Sequence, residues 1–221
     1  MKKRQPIICF MGLDGSGKST SIEFAHKKLE AEGVRVQIVR AAYVVKFLAL
    51  PIKLGKKLLM KKNSDPYGGN YKLYLENMRK NAKHGWTYKI FSFLTGCEFK
   101  AQIFFNIKVK HAFGKMLLVD RYIYDNAVTY AANLGLGEDY MESTIQKKWK
   151  RAPKPDLIIY IKTPVDVCCS RKNDIPDPLY LEIREPLYDM ISNMYPTVTI
   201  SGNQDKAAML SQVMDAINSV R

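Results

Sequence analysis

Residues 7–19 have the sequence IICFMGLDGSGKS, in which five apolar residues lead straight into a glycine-rich loop. An unbroken apolar run of this length is typical of a strand that is buried on both faces of a parallel sheet. After the loop, residues 21–32 place apolar side chains at helical spacing, and Gly33 supplies a stop. The stretch therefore predicts a strand, a tight loop and a helix, the beginning of a βαβ unit.

The loop matches the pattern G-x-x-x-x-G-K-[ST] at every defined position. Between a strand and a helix, the pattern indicates a phosphate-binding loop (P-loop) rather than an ordinary glycine turn. Backbone N–H groups and the helix dipole can hold a phosphate, Lys18 can reach the β- and γ-phosphate oxygens, and the Ser19 hydroxyl can bind Mg²⁺. We therefore expect ATP and Mg²⁺ as cofactors. The predicted nucleotide-binding residues of the loop are Gly12, Asp14, Gly15, Ser16, Gly17, Lys18, Ser19 and Thr20.

Strand and helix patterns alternate along the rest of the chain. Alternating apolar and polar residues predict a strand at 34–39, and apolar runs predict strands at 116–119, 157–161 and 198–200. Helical patterns recur at 73–83, 88–113, 124–132 and 206–220. Thr163 and Pro164 predict a helix start, with Thr163 as N-cap and Pro164 at the first helical position. The pattern favours an α/β fold of three layers around a five-stranded parallel sheet, in one domain over residues 1–221.

Two charged residues follow the third predicted strand. Asp120 is placed to meet Mg²⁺ or its water shell, although a strand-end aspartate can also cap the next helix. Arg121 can clamp a phosphate or a carboxylate, or it can form a surface ion pair.

The net charge of +14 is concentrated in the middle of the chain, where residues 43–115 carry 15 basic and 3 acidic side chains. Such a surplus predicts an anionic partner or substrate. Residues 44–62 mix leucines with lysines, so this stretch could lie on an anionic membrane surface or contact nucleic acid. It could equally pack its leucines on the core and leave its lysines in solvent.

Other classes of protein are disfavoured. No stretch approaches the roughly 18 consecutive apolar residues of a membrane-spanning helix, and the apolar run after the basic N-terminus fits a first strand, so we expect a cytoplasmic protein. The four cysteines form no C-x-x-C pair, which favours reduced thiols. The three histidines are scattered and predict no metal cluster.

Four segments together resemble the thymidylate kinase family, a branch of the nucleoside-monophosphate kinases. They are GLDGSGKST at residues 12–20, DRY at 120–122, PDLIIYIKTPVDV at 155–167 and SRKNDIPDPLYLEIREPLY at 170–188. The similarity covers residues 5–40 and 96–221. It implies a P-loop kinase fold, a helical lid at about 170–182 whose Arg171 and Lys172 close on the triphosphate, and a homodimer. Together with the glycine loop and the DRY element, the similarity implies that the catalytic residues are Lys18, Asp120, Arg121 and Arg171.

The acceptor side departs from the family. The family's second strand ends in Arg-Glu-Pro, whose Arg binds the acceptor phosphate, whereas here Arg40 is followed by two alanines. Lys100 stands where the family has an arginine, and lysine lacks the bidentate fork. Residues 43–95 have no counterpart and form an atypical basic helical insert. The acceptor-binding residues that the resemblance implies are Arg40, Lys100, Arg121, Tyr122 and Arg184. Tyr188 also matches a tyrosine that the family places one helical turn after the arginine matched by Arg184.

These patterns predict a Mg-ATP-dependent phosphotransferase. The first hypothesis is a nucleoside-monophosphate kinase that acts on dTMP or a similar nucleotide. The second is a kinase of the same fold with another acceptor, such as a nucleoside, a sugar or a lipid-linked intermediate; for a hydroxyl acceptor, Asp14 or Asp120 could serve as the base. The third is a nucleotide-dependent switch that binds a membrane or nucleic acid.

Overall fold

The computed structural model describes residues 4–43, 70–83 and 86–221. The amphipathic stretch at 44–62 and the loop predicted at 64–70, apart from Asn70, lie outside the described residues. In the described part of the chain, no helix combines the length and the apolar character needed to cross a membrane.

Five strands form one parallel sheet, which confirms the predicted α/β class. The strands are β1 (Ile7–Met11), β2 (Val36–Arg40), β3 (Met116–Asp120), β4 (Leu157–Lys162) and β5 (Thr197–Ser201). Their order in the sheet is β2-β3-β1-β4-β5, and every neighbouring pair is parallel. The strand β1 therefore lies in the middle, between β3 and β4.

Helices connect the strands over the described residues. The helices that follow β1 and β2 are α1 (Lys18–Ala31), α2 (Tyr71–Lys83) and α3 (Trp86–Ile103), and α3 continues through a π-helical segment (Phe104–Val109) to a last turn (Lys110–Ala112). After β3 come α4 (Ile123–Leu134) and α5 (Glu138–Ser143), which continues as a π-helical segment (Thr144–Lys148). The remaining helices are α6 (Val165–Arg171), α7 (Pro178–Glu182), α8 (Glu185–Met194) and α9 (Lys206–Asn218).

Apolar side chains cover both faces of the sheet. Ile7 and Cys9 of β1 pack into one core cluster, whereas Ile8 and Phe10 pack into the other. Successive residues of a strand point to opposite faces, so a run such as IICFM needs an apolar layer on each side. Helices α1 and α9 pack over one face, and α4 and α8 over the other, which gives three layers.

One predicted helix start is wrong by one position. Helix α6 begins at Val165 with Pro164 as the residue before it, and no side chain caps this end. The Thr163 hydroxyl instead donates to the Ser16 carbonyl (3.1 Å) and ties the end of β4 to the glycine loop. The long-range contact replaces the local cap that the sequence predicted.

The sheet brings the ends of three strands together. The register pairs Phe10 of β1 and Arg40 of β2 with Asp120 of β3. Since the strands are parallel, their carboxyl ends lie along one edge of the sheet, and the loop after β1 opens there.

Candidate functional site

The glycine loop between β1 and α1 takes a conformation that side chains disfavour. Gly15 has a φ of 84°, and a Cβ atom at this position would lie 2.6 Å from the Cys168 carbonyl oxygen. Gly17 directly precedes α1 with a φ of 101°. Both positions require glycine because an L side chain rarely adopts these angles. The loop therefore lies tightly against α6 while presenting the start of α1, whose first N–H groups have no partner within the helix.

A cavity of about 620 Å³ opens at this loop. Twelve of the predicted site residues line it: Asp14, Gly15, Ser16, Gly17, Lys18, Ser19, Thr20, Arg40, Asp120, Arg121, Arg171 and Lys172. Gly12 is buried at the start of the loop, and a Cβ atom there would lie 2.6 Å from the Ile161 carbonyl oxygen. Six of the lining side chains are cationic and two are acidic, so the cavity suits an anion.

Lys18 is the most buried of these cations. Its ammonium donates to the Leu13 carbonyl and to the Ser16 hydroxyl, the latter at 3.3 Å. Burial, and then the charge of Arg121, lower the pKa of Lys18 to about 8, while nearby carboxylates oppose the shift. The lysine is thus held within the loop at the cost of desolvating its charge, and an anion in the cavity would offset that cost.

Asp14 holds several groups over the loop. Its carboxylate pairs with Arg121, lies 3.7 Å from the Lys172 ammonium and accepts from the Tyr180 hydroxyl at 3.2 Å. Burial alone would raise the pKa of Asp14, but Arg121, Lys18 and Lys172 hold it below its ordinary value. Asp14 therefore stays charged and draws residues from β3 and from the predicted lid towards the loop.

Arg121 takes a strained backbone conformation at the end of β3. Its φ of 61° is the one positive value among the described non-glycine residues. Its guanidinium donates to the Tyr188 hydroxyl (3.4 Å) and lies 3.5 Å from the Asp125 carboxylate. Such strain persists where surrounding contacts over-determine the geometry, often at functional sites. The backbone turn directs the guanidinium into the cavity.

Asp125 and Tyr188 form a buried support beneath Arg121. The Tyr188 hydroxyl donates to Asp125 at 2.7 Å, and the other carboxylate oxygen accepts from the Tyr122 amide at 3.0 Å. Burial raises the pKa of Asp125, although Arg121 and these hydrogen bonds oppose the shift. Asp125 was not among the predicted site residues, and its spacing of four residues from Arg121 is the signal that could have indicated it.

The proposed magnesium ligands lie together on the cavity wall. Ser19 and Asp120 both line it, and they offer a hydroxyl and a carboxylate oxygen. No group of three or more His, Cys, Asp or Glu side chains suited to a metal occurs in the described ranges. A small set of hard oxygen donors fits Mg²⁺, which is commonly bound through one or two carboxylates together with water and substrate phosphates.

Two further cations reach the cavity from opposite sides. Arg40 lies at the end of β2, where the register pairs it with Asp120. Arg171 is the last residue of α6, and its guanidinium donates to the Gly202 carbonyl at 3.0 Å. The structure thus joins a predicted acceptor-binding residue and a predicted lid residue in one space.

Three predicted acceptor-binding residues lie elsewhere. Tyr122 is fully buried, and its hydroxyl donates to the Pro153 carbonyl at 2.9 Å, so it has no surface to offer an acceptor. Arg184 is buried, does not line the cavity and donates to the hydroxyl of Tyr71 (3.0 Å). Lys100 is exposed on α3 and does not line the cavity. Tyr122, Arg184 and Lys100 are thus not among the residues that line this cavity, and their acceptor-binding role stays a prediction.

The loop after β5 also belongs to the site and was missed. Gly202, Gln204, Lys206 and Met209 line the cavity. Gly202 packs so closely that a Cβ atom would lie 2.6 Å from the Ser16 carbonyl oxygen. The glycine after a short strand was the available signal, but only the sheet order places it beside the loop of β1.

Comparison of the chain with protein-family models and with curated protein sequences finds no match.

Proposed function

We propose that the protein binds a nucleoside triphosphate with Mg²⁺ in this cavity and transfers the γ-phosphoryl group to a small acceptor. The observation that carries the proposal is the glycine loop of β1, which opens with Lys18 into a cavity lined by six cationic side chains. Backbone N–H groups at a helix start and surrounding cations are the features by which proteins bind polyphosphates.

The position of the cavity in the sheet supports the same function. The chain runs from β1 to one side of the sheet for β2 and β3, and to the other side for β4 and β5. Ligands of open α/β sheets bind at the carboxyl ends of the strands where the order reverses. This point lies at β1, whose following loop is the glycine loop, and the arrangement supports a P-loop kinase fold.

Residues of this chain would act by positioning and by charge. Lys18 would give up its hydrogen bonds to the loop and bind phosphate oxygens instead. Arg121 and Lys172 would likewise leave the Asp14 carboxylate and bind phosphate oxygens. Arg171 would approach from the end of α6. Mg²⁺, held by Ser19 and Asp120, would supply further neutralisation of phosphate charge. Phosphoryl transfer requires mainly such positioning and electrostatic stabilisation.

We propose a nucleoside monophosphate as acceptor, in line with the resemblance to thymidylate kinases. Arg40 and Arg121 are the cations available for its phosphate, which is already ionised and needs no general base. A second candidate is a kinase with a different acceptor. It is favoured by the placement of Tyr122 and Arg184 in the interior and of Lys100 outside the cavity. The cytoplasmic location and the homodimer stay predictions.

The test is ADP production from ATP and Mg²⁺ with a panel of acceptors. The panel contains dTMP, dUMP, the other nucleoside monophosphates, free nucleosides, sugars and sugar phosphates. We expect turnover with a monophosphate, its loss in Lys18→Ala, and wild-type turnover in Lys27→Ala, an exposed lysine of the same helix.

The outcomes separate the two candidates. Turnover only with a hydroxyl acceptor would favour the second candidate. An active Lys18→Ala variant, or a protein to which ATP and Mg²⁺ fail to bind by calorimetry, would contradict phosphotransfer at this cavity.

A further inference from the structure

Helix α2 of the basic insert packs its first residue against the predicted lid. Tyr71 is 2% exposed, and its ring meets the ring of Tyr180 edge to face, with 5.7 Å between the two centroids. Tyr180 lies in α7, within the segment 170–182 that the sequence predicts as a lid. Neither ring lines the cavity, so the contact belongs to the support of the site and not to its wall.

Arg184 joins α2 and the lid from the interior. It is 5% exposed, and its guanidinium donates to the Tyr71 hydroxyl (3.0 Å) and to the Tyr180 carbonyl (2.7 Å). A third hydrogen bond reaches the side-chain oxygen of Asn133 in α4 at 3.1 Å. The guanidinium carbon also lies 3.8 Å from the centroid of the Tyr180 ring. One side chain therefore fixes α2, α7 and α4 relative to one another.

The contacts of Arg184 are specific, although they are poor at offsetting its charge. No carboxylate among the described residues forms an ion pair with Arg184, so the buried guanidinium rests on neutral oxygens and on one aromatic face. Its buried Nε atom has no hydrogen-bond partner in the described part of the chain. Burying a charge without an opposite charge is costly. What the planar guanidinium provides is direction, with three hydrogen bonds to three helices.

Helix α2 is itself held on a rigid part of the fold. Leu75, one turn after Tyr71, is buried. The Arg79 guanidinium lies against the end of α4, where a Cβ atom on Gly135 would be 3.0 Å from it. Helix α4 in turn packs its apolar side chains into one of the two cores that cover the sheet. The contacts of α2 thus connect the lid to the sheet.

The lid has little packing of its own. No residue from 171 to 180 is buried, and segments that bury few apolar side chains open at a low cost in free energy. On the side of the glycine loop, the Tyr180 hydroxyl donates to Asp14 at 3.2 Å. Burial raises the pKa of Tyr180 to about 12, so the hydroxyl keeps its proton at neutral pH. Direct contacts therefore run from α2 through Tyr180 to the loop.

We propose that Tyr71 and Arg184 are positioning residues of the phosphotransfer site, and that they set how far the lid opens. They act by holding Tyr180 in place against Asp14. This inference rests on the proposed function, in which the two cationic partners of Asp14 leave it for phosphate oxygens. The neutral Tyr180 hydroxyl can stay on Asp14 and keep the lid over the loop. Helix α2 would thus adjust the affinity for nucleotide from outside the cavity.

The first measurement is hydrogen exchange of the full chain without nucleotide, followed by mass spectrometry. Tyr71→Phe removes the hydroxyl that accepts from Arg184 and keeps the ring against Tyr180. We expect the amides of residues 172–182 to exchange about fivefold faster or more in this variant, because the closed lid loses a hydrogen bond to a charged group.

Two further variants frame this result. Tyr160→Phe is the matched control, since Tyr160 is a buried tyrosine whose hydroxyl donates to Asp189, outside the lid. It should leave the exchange of residues 172–182 unchanged. Arg184→Lys keeps the charge but lacks the planar fork, so it should accelerate exchange at least as much as Tyr71→Phe does.

The second measurement separates nucleotide binding from chemistry. With an acceptor that supports turnover, Tyr71→Phe should raise the KM for ATP about fivefold and leave kcat within about twofold, because part of the binding free energy of ATP is then used to close the lid. A merely structural role would lower the fraction of folded enzyme, and so reduce kcat without changing KM. The dissociation constant of ATP, measured by calorimetry, should rise in the same proportion as KM.

Two results would overturn the proposal. One is exchange of residues 172–182 that Tyr71→Phe leaves unchanged, or that Tyr160→Phe accelerates equally. The other is an affinity for ATP that Tyr71→Phe does not reduce. A wild type that fails to bind ATP would contradict the proposed function instead, and the exchange measurement would still decide whether α2 holds the lid. Circular dichroism checks that each variant keeps its fold.

Discussion

Replacing Lys18 with methionine is expected to stabilise the ligand-free protein and to remove most of the stabilisation that ATP and Mg²⁺ give to the wild type. Lys18 is 5% exposed, and burial followed by the charge of Arg121 lowers its pKa from 10.5 to about 8. Methionine keeps most of the side-chain volume without the charge. The Leu13 carbonyl keeps a partner in the variant, because the Ser16 amide also donates to it at 3.2 Å.

The pKa shift sets the size of the effect. A folded-state pKa lowered from 10.5 to about 8 means that the charged lysine costs the native state about 3 kcal/mol at neutral pH. Between these two values the folded protein binds fewer protons than the unfolded chain, so stability rises with pH and the cost shrinks. Near pH 9.5 it has fallen to roughly 1 kcal/mol. The gain in stability of Lys18→Met over the wild type should therefore shrink between neutral pH and pH 9.5. Because the variant also loses the hydrogen bonds of Lys18, the two energies are upper bounds on that gain.

The assay is urea unfolding of the wild type and Lys18→Met at neutral pH and near pH 9.5. Lys27→Met is the matched control, an exposed lysine on the same helix that should change the free energy of unfolding by less than about 0.5 kcal/mol. Thermal melting with saturating ATP and Mg²⁺ completes the set. The wild type should gain about 2.7 kcal/mol at one hundred times the Kd, and Lys18→Met should gain little at the same concentration.

Two results would refute the reasoning. One is a Lys18→Met variant that is less stable than the wild type at neutral pH. The other is a difference in the free energy of unfolding that does not change between the two pH values. Either would mean that the desolvated charge of Lys18 is not what limits the stability of the ligand-free site.

Two further predictions concern the supports of the site. Gly15→Ala should cost more stability than Gly33→Ala and abolish ATP-induced stabilisation, because both glycines have positive φ but only at Gly15 would the Cβ meet a backbone oxygen at 2.6 Å. Equal losses in thermal melts would contradict this. Tyr188→Phe should destabilise by about 1–3 kcal/mol, since the buried Asp125 loses a donor. Tyr160→Phe is the comparison, because the Tyr160 hydroxyl donates to Asp189, a more exposed carboxylate, and its loss should cost less stability in urea unfolding. If Tyr160→Phe cost more than Tyr188→Phe, the role of Tyr188 and Asp125 as a buried support beneath Arg121 would be excluded.

Much of the fold could be predicted because its signals are local. The apolar run at residues 7–11 identifies a strand buried on both faces without knowledge of its neighbours. The glycines at 15 and 17, with Lys18, mark the turn into α1. Alternation of strands and helices then favours a parallel sheet, since parallel strands need crossover connections. The strands and the α/β class are confirmed on this basis.

Three of the predicted acceptor residues do not line the cavity, because neighbouring positions in a chain can face different environments. Arg121 and Tyr122 are adjacent, yet the positive φ of Arg121 sends its guanidinium to the cavity, whereas Tyr122 is buried in the core. Arg184 has the charge expected of a phosphate-binding residue, but its contacts with Tyr71 and Asn133 hold it in the interior. A motif specifies residue types and spacing, and it does not specify the direction of each side chain.

Taken alone, the sequence determined the class of the fold and the glycine loop with Lys18, because backbone propensity and hydrophobic periodicity act over a few residues. Tertiary structure decided which charges share the cavity. Asp14 meets Arg121 and Tyr180, which lie 107 and 166 residues further along the chain, and Thr163 binds the loop instead of capping its own helix. Such contacts depend on the order of strands in the sheet and on how the interior packs, and no local pattern encodes them.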